Sequence, residues 1–301
     1  MNCIDVIFFQ AEIAPERLAM VAQGFVVSYG RLARGIVSAQ RRLAAAGLSE
    51  GQTVGLHVAQ PIDHFIFICA LYRLRIASAS INQQIDAYLD HVPFDAVLLD
   101  GANPLVSMKQ PAAKLFAVDT SWFQDEVTFS VAERTRSSRD PNPDWVCRVT
   151  CLPEETRLPT VVKTTSRALE AQLTTCCLAA SPDWERMISV VGLNTLPGLL
   201  HGLSALWLGR TVCFADTAIA RNLIAVYKHH YLVATVQQLD PLLTLQATAY
   251  IALPALRSVY VAGQRFAPGM VARCLETISS NTVLSYTHPT LGIIAYGRRR
   301  A

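Results

Sequence analysis

The chain predicts an α/β protein of two packed subdomains with mainly parallel sheets flanked by helices. Three observations carry that prediction. The chain has 301 residues, 51% apolar and only 16% charged, enough to bury a large core. Short apolar runs alternate with amphipathic stretches, as strands joined by covering helices do. A polar interval separates two such series.

In the first series, Ser28 is placed to cap a helix from about Gly30 to Ala46. Leu32, Ile36 and Leu43 lie on one face, Arg31, Arg34, Arg41 and Arg42 largely on the other, and Gly47 stops it. Thr53 to Val58 reads as a strand and Ile62 to Ile76 as a strongly apolar helix. Ala77 to Ile81, Ala96 to Leu99 and Leu115 to Val118 are further strands. From Val127 to Asp144 the chain turns polar, ending in Arg139-Asp140-Pro141-Asn142-Pro143-Asp144, an exposed connection. It sets the predicted domains at 1–140 and 141–301.

The second series opens with a strand at Val146 to Thr150. A helix follows at Ser166 to Ala179, then a strand at Met187 to Val191 and a helix at Gly198 to Leu208. Later strands are Thr211 to Phe214, Val233 to Val236, Ser258 to Ala262 and Thr282 to Tyr286, with helices at Ala218 to His230 and Pro268 to Ile278. No internal repeat or low-complexity tract appears.

Several function classes are disfavoured. The net charge of +3 is spread, and its one cluster, Arg298-Arg299-Arg300, reads as a solvated tail, so nothing calls for nucleic acid. Asp5 and Glu12 near the start, with no basic stretch before an apolar run, do not support a secretory signal, and a cytoplasmic protein is expected. The uncharged run from Ile188 to Gly209 is interrupted by Asn194, Thr195, Pro197, His201 and Ser204, which favours buried strand, loop and helix over a membrane span. The eight cysteines lack regular spacing; Cys147 and Cys151 are the nearest approach to a metal pair, and buried free thiols are the reading, with no metal site. There is no Gly-x-Ser-x-Gly elbow and no Gly-x-x-x-x-Gly-Lys loop. His229-His230 reads as a dipole-facing helix end.

Several short segments in a fixed order resemble one family. They are Ser28-Tyr29-Gly30-Arg31-Leu32, then Gly51-Gln52-Thr53-Val54-Gly55-Leu56, then Leu206-Trp207-Leu208-Gly209-Arg210-Thr211-Val212. Leu256-Arg257-Ser258-Val259-Tyr260-Val261-Ala262-Gly263 and Leu284-Ser285-Tyr286 follow, with Gly292-Ile293-Ile294 beyond. Their order along essentially the whole chain is similar to the N-terminal part of the AMP-dependent synthetases and ligases, which include acyl-CoA synthetases, luciferases and peptide-synthetase adenylation domains.

That resemblance implies ATP or AMP with magnesium as cofactors, an acyl group with CoA or a carrier protein as partners, and acid-thiol ligase activity. It also locates a phosphate loop, where the family reads Thr-Ser-Gly-Thr-Thr-Gly-x-Pro-Lys-Gly-Val and this chain reads Pro153-Glu154-Glu155-Thr156-Arg157-Leu158-Pro159-Thr160-Val161-Val162. Glu154 and Arg157 fall on the two glycines, Glu155 on a threonine and Thr160 on the lysine. Such a loop works through glycine N–H groups, hydroxyls and one cation. A carboxylate about 4 Å from a phosphate charge costs on the order of 4 kcal/mol at an effective dielectric near 20.

Further on, the family's Tyr-Gly-x-Thr-Glu falls on Tyr286-Thr287-His288-Pro289-Thr290. The α-phosphate threonine becomes Pro289, and the magnesium carboxylate becomes Thr290. Tyr286 either flanks adenine or is a core aromatic ending a strand; His288 is either an acid-base group or an ordinary loop histidine. After Gly297 only Arg298 to Ala301 remain, so the family's ribose motif and C-terminal lid domain are expected to be absent.

The residues carried over as cofactor-binding are Thr156, Arg157, Thr160, Gly263, Tyr286, Thr287 and Thr290, with no catalytic residue assigned. The cleft the resemblance implies is lined by Gly192 to Leu196, Ala262 to Gln264 and Tyr286 to Thr290. The preferred reading is an acyl-CoA synthetase-like protein that cannot by itself adenylate a carboxylic acid. The alternatives are one half of a split ligase, with a separate C-terminal domain and Arg157 or Lys163 replacing the lysine, and a non-catalytic module that docks a carrier protein or a full-length paralogue.

Overall fold

A computed structural model of the chain describes residues 2–22, 24–81, 91–100, 113–123, 142–152, 160–179, 184–248, 256–263, 266–279, 281–288 and 292–300. The chain opens with α1 (Asp5–Ile13), β1 (Leu18–Ala22), β2 (Phe25–Ser28) and α2 (Tyr29–Ala45). It continues through β3 (Thr53–His57), α3 (Pro61–Arg73), β4 (Ala77–Ser80), β5 (Ala96–Asp100), β6 (Lys114–Val118) and a 3₁₀ turn at Thr120–Phe123. Next come β7 (Val146–Leu152), β8 (Thr160–Thr165), α4 (Ser166–Ala179), β9 (Arg186–Ser189), α5 (Leu196–Trp207) and β10 (Thr211–Phe214). The last elements are α6 (Thr217–Tyr227), β11 (Tyr231–Thr235), α7 (Val236–Thr248), β12 (Ser258–Gly263), α8 (Pro268–Thr277), β13 (Asn281–His288) and β14 (Gly292–Arg300).

These form a six-stranded sheet ordered β6-β5-β3-β4-β7-β8 and an eight-stranded sheet ordered β14-β13-β12-β11-β9-β10-β1-β2. Within the six-stranded sheet every assigned pair is parallel except β7 with β8, and along the other, from β1 to β13, the pairs are parallel before β14 closes antiparallel. The mixed α/β class is therefore as the sequence predicts.

The chain divides into two compact units, one of residues 1–17 and 27–170 and one of residues 18–26 and 171–301. The divide predicted at 140/141 lies outside the described residues; the first unit runs on to Glu170. Strand pairing is the reason. β7 joins the first sheet by pairing with β4 at Ser78 and Arg148, and the Tyr72 hydroxyl meets Ser166 Oγ at 2.5 Å, tying the start of α4 to α3. β1 meanwhile adds to β10 in the second sheet. Composition marked a polar interval, which is a different property from a change of partner.

Local chemistry explains the elements that the sequence places well. The Ser28 hydroxyl accepts from the Arg31 N–H at 3.4 Å, capping α2. Leu32, Ile36 and Leu43 are all fully buried. α3 is buried on nearly every side, from Ile62 through Tyr72. The core of the second unit gathers Ile188, Leu232, Leu239, Leu243, Val259 and Cys274 around its sheet.

Other expectations are corrected. Arg298, Arg299 and Arg300 are exposed but belong to β14, paired with Val283, Thr282 and Asn281, not to a tail. α6 ends at Tyr227, and Lys228 takes a left-handed conformation at φ 51°. His229 then turns inward: it is 1% exposed, its Nδ1 lies 3.2 Å from the Leu223 carbonyl, and burial lowers its pKa to about 4. It is a neutral buried ring, not a cation at a helix end. The uncharged run from Ile188 folds as the end of β9, a loop and α5, and among the described residues no helix is long and apolar enough to cross a membrane. None of the eight cysteines forms a disulfide, and seven are buried.

Candidate functional site

In a parallel sheet, ligands bind beyond the carboxyl ends of the strands, where the connecting loops part. In the second unit those ends belong to β9, β11, β12 and β13. Gly263 closes β12 and pairs with Tyr286 on the adjacent β13. A register shift follows immediately between Tyr286 and Thr287 as β13 meets β14, and such irregularities re-aim side chains at a sheet edge. Tyr286 is 42% exposed, so it is not a core aromatic. Thr287 and His288 are half-buried.

The loop after β9 is built by its own hydrogen bonds. The Thr195 hydroxyl donates to the Gly192 carbonyl at 2.9 Å and accepts from the Gly198 N–H at 3.1 Å, capping α5. A Cβ on Gly198 would sit 2.1 Å from the Gly192 carbonyl oxygen, so only glycine lets the helix start this close to the loop.

After β11, a reciprocal cap starts α7. The Thr235 N–H donates to Gln238 Oε1 at 3.1 Å while the Gln238 N–H donates to Thr235 Oγ1 at 3.3 Å. Gln238 Nε2 also donates to the Val190 carbonyl at 2.7 Å, joining this helix to the end of β9. A Cβ on Gly263 would meet Val236 Cγ2 at 2.9 Å, so the first turn of α7 packs directly over the end of β12. Thr235, Val236, Gln238 and Phe266, whose ring lies 3.7 Å from the same Cβ position on Gly263, were not among the predicted site residues. The Thr-x-x-Gln spacing was the legible signal for the first three.

The site predicted from resemblance is thus brought together only in part. Gly263, Tyr286 and Thr287 adjoin one another in the second unit, and Gly192 to Leu196 follows β9 of the same sheet. Thr160 belongs to the first unit, where it is exposed at the start of β8 and pairs with Leu152. Thr156, Arg157, Gln264, Pro289 and Thr290 lie outside the described residues. At the described strand ends the named polar side chains, Asn194, Thr195, Thr235, Gln238, Tyr286 and Thr287, are uncharged. No group of three or more His, Cys, Asp or Glu among the described residues could hold a metal ion.

Two other histidines are interior. His201 is 2% exposed, its Nδ1 lies 3.4 Å from Cys176 Sγ, and burial lowers its pKa to about 3. Burial pushes the Cys176 thiol up to about 12, so this pair is neutral and unreactive. In the first unit, His64 Nδ1 lies 2.9 Å from the Val58 carbonyl and Nε2 2.6 Å from Ser80 Oγ, and burial, with the Arg148 charge, lowers its pKa to about 4.

Neither a family sequence model nor any curated protein sequence matches the chain. Solved structures do. An o-succinylbenzoate coenzyme A synthetase from Bacillus subtilis, in complex with ATP and magnesium, is 15% identical; the match covers 97% of this chain and 62% of that one, with a TM-score of 0.80. A luciferase-like enzyme from the nonluminescent mealworm Zophobas morio is 12% identical over 98% of this chain and 74% of its own, with a TM-score of 0.81. The N-terminal subdomain of Klebsiella oxytoca NpsA, in complex with 3-hydroxyanthranilyl-AMSN, is 13% identical over 99% and 76%, with a TM-score of 0.78. The chain spans less than two thirds of the length of the synthetase it matches. Two mostly parallel sheets, flanked by helices and superimposable on these enzymes, give the chain the fold of the N-terminal domain of adenylate-forming enzymes.

Proposed function

We propose that the chain is an acyl-CoA synthetase-like domain that holds the adenosine part of a nucleotide or acyl-adenylate at the strand ends around Gly263 and Tyr286, and that does not adenylate a carboxylic acid by itself. The observation that carries this reading is the pairing of Gly263 with an exposed Tyr286 on adjacent parallel strand ends. An aromatic face there can stack on a base, a contact worth about 1–3 kcal/mol in single-stranded nucleic acid complexes. The neutral hydroxyl and amide side chains around it suit a nucleoside.

The segment that the resemblance equates with a phosphate loop is chemically unlike a triphosphate site. The link from β7 to β8 carries Glu154 and Glu155 and has Thr160 where the resemblance places a lysine. Thr290, in the place of the magnesium carboxylate, is a neutral hydroxyl and a poor ligand for a hard divalent cation. The residues do not fit magnesium, and the reading contains no metal-assisted step. Eight cysteines without a disulfide suit a reducing compartment such as the cytoplasm.

The test is acid-dependent exchange of pyrophosphate into ATP, run over a panel of aliphatic and aromatic carboxylic acids. The expected outcome is no exchange above an enzyme-free blank. Exchange that depends on one of the acids would overturn the non-adenylating reading while leaving the fold intact.

A further inference from the structure

The first unit has a crevice of its own. In the sheet order, β4 lies beyond β3 in one direction and β6 beyond β5 in the other, so the order reverses between β3 and β5. Neighbouring parallel strands whose chains leave in opposite directions open a ligand crevice between their carboxyl ends. A cavity of about 280 Å³ lies there, bounded by Val58 beyond β3, Asp63 and Phe67 on α3, Asp100 at the end of β5, and Asp119 and Phe123 beyond β6.

Its walls are held in place. The Phe67 ring meets Phe123 and Trp122 edge-on, with centroids 5.2 and 5.6 Å away. Ser38 of α2 donates to the Trp122 carbonyl at 2.7 Å, fastening the 3₁₀ turn. Asp100 accepts from the Ala59 N–H and Asp119 from the Ser121 N–H, each at 2.8 Å. Asp63, half-buried on the first turn of α3, has no hydrogen bond or ion pair among the described residues. Burial, and then the charge of Asp100, push its carboxyl up to about 6.

The other charged and titratable groups nearby are Asp119 in the same cavity, Arg42 of α2 acting on Asp119, His64 on α3 and His57 at the end of β3. Buried neutral His64 supplies no positive charge. The cavity therefore joins aromatic faces to a carboxylate that a cation would relieve.

We propose that this cavity binds a small organic cation, with an alkylammonium or guanidinium group against Phe67 and Phe123 and its charge shared by Asp63 and Asp100. At about 280 Å³ it falls just below the roughly 300–1,000 Å³ of pockets that take drug-sized ligands, which suits a short amine.

Calorimetry with putrescine, and with 1,4-butanediol as its uncharged counterpart, tests this on the whole chain. Saturable binding of putrescine alone is expected at pH 7.5, weakening about tenfold at pH 5, where roughly one in ten Asp63 carboxylates stays ionised. Asp63→Asn should lose at least tenfold in affinity and most of the pH dependence. It removes a carboxylate beside Asp100 and should be no less stable than the parent. Phe123→Ala should weaken binding several-fold and serves if Asp63→Asn fails to fold. Equal affinity in the parent and both variants, equal binding of the diol, or no saturable heat would overturn the proposal.

Discussion

At the carboxyl ends of the first sheet, Asp63 and Asp100 share a cavity walled by Phe67 and Phe123. At the carboxyl ends of the second, Gly263 pairs with an exposed Tyr286 beside uncharged residues. Both edges come from the same backbone rule, since parallel strands with covering helices leave loops that part at one end of the sheet. The side chains alone set the difference. A fold of this type makes crevices wherever its connections diverge, and the charge placed in each decides which ligand belongs there.

The comparison rests on both sheets being packed as described, and the largest effects test that. Leu206 on α5 is fully buried and Ile68 on α3 is 5% exposed, one in each unit. Leu206→Ala and Ile68→Ala should each cost roughly 2–5 kcal/mol in urea denaturation. A loss below about 0.5 kcal/mol at either position would mean that its helix does not cover its sheet.

A smaller effect comes from the buried histidine of each unit. His64 and His201, with pKa values lowered to about 4 and about 3, resist protonation in the folded state more than in the unfolded chain, where the value is about 6.5. The unfolded state therefore binds more protons below pH 6.5, so this contribution is present above that pH and is lost as pH falls toward the folded values. Between pH 7 and pH 5 each should cost up to about 2 kcal/mol. Replacing either by Gln should flatten the fall in the urea midpoint over that range. An unchanged slope in both variants would show that these rings are not held neutral.

The smallest effect sharpens the second edge. Gly263→Ala places a methyl 2.9 Å from Val236 Cγ2, the end of a side chain that can shift by rotation. A stability cost of about 1 kcal/mol is expected, with a several-fold loss of AMP affinity because the added methyl and the rotated Val236 crowd the strand end. Unaltered AMP affinity would detach Gly263 from the site.

Much of this architecture is legible in the sequence wherever the signal is local. Ser28 and the Leu32, Ile36, Leu43 stripe announce α2, and short apolar runs mark β3 to β5 and β9 to β13. What escaped depends on distant partners. β14 takes strand form only because Arg298 to Arg300 pair with Asn281 to Val283, and arginines on an exposed edge look like a tail when read alone. α1 is similar: Asp5 seems to be an exposed charge until Arg73 lies 3.5 Å away in the buried interior. α7 contains Pro241, which argues against a helix by propensity, although the Thr235–Gln238 cap announces one. Of the site, Gly263 and Tyr286 were reachable through resemblance alone, since nothing local in either segment demands a ligand. Asp63 and Asp100 were invisible as a pair. They meet because β3 and β5 align with His57 opposite Leu99, a register no short window contains.

The most direct test of the account is calorimetry of AMP against ATP with magnesium, on the parent chain and on Tyr286→Ala. The account predicts that AMP binds at least as tightly as ATP with magnesium, because the segment that resembles a phosphate loop carries Glu154 and Glu155 and has Thr160 in place of a lysine, and that Tyr286→Ala weakens both by at least tenfold. Magnesium-dependent ATP binding a hundredfold or more tighter than AMP, or affinity indifferent to Tyr286, would contradict it.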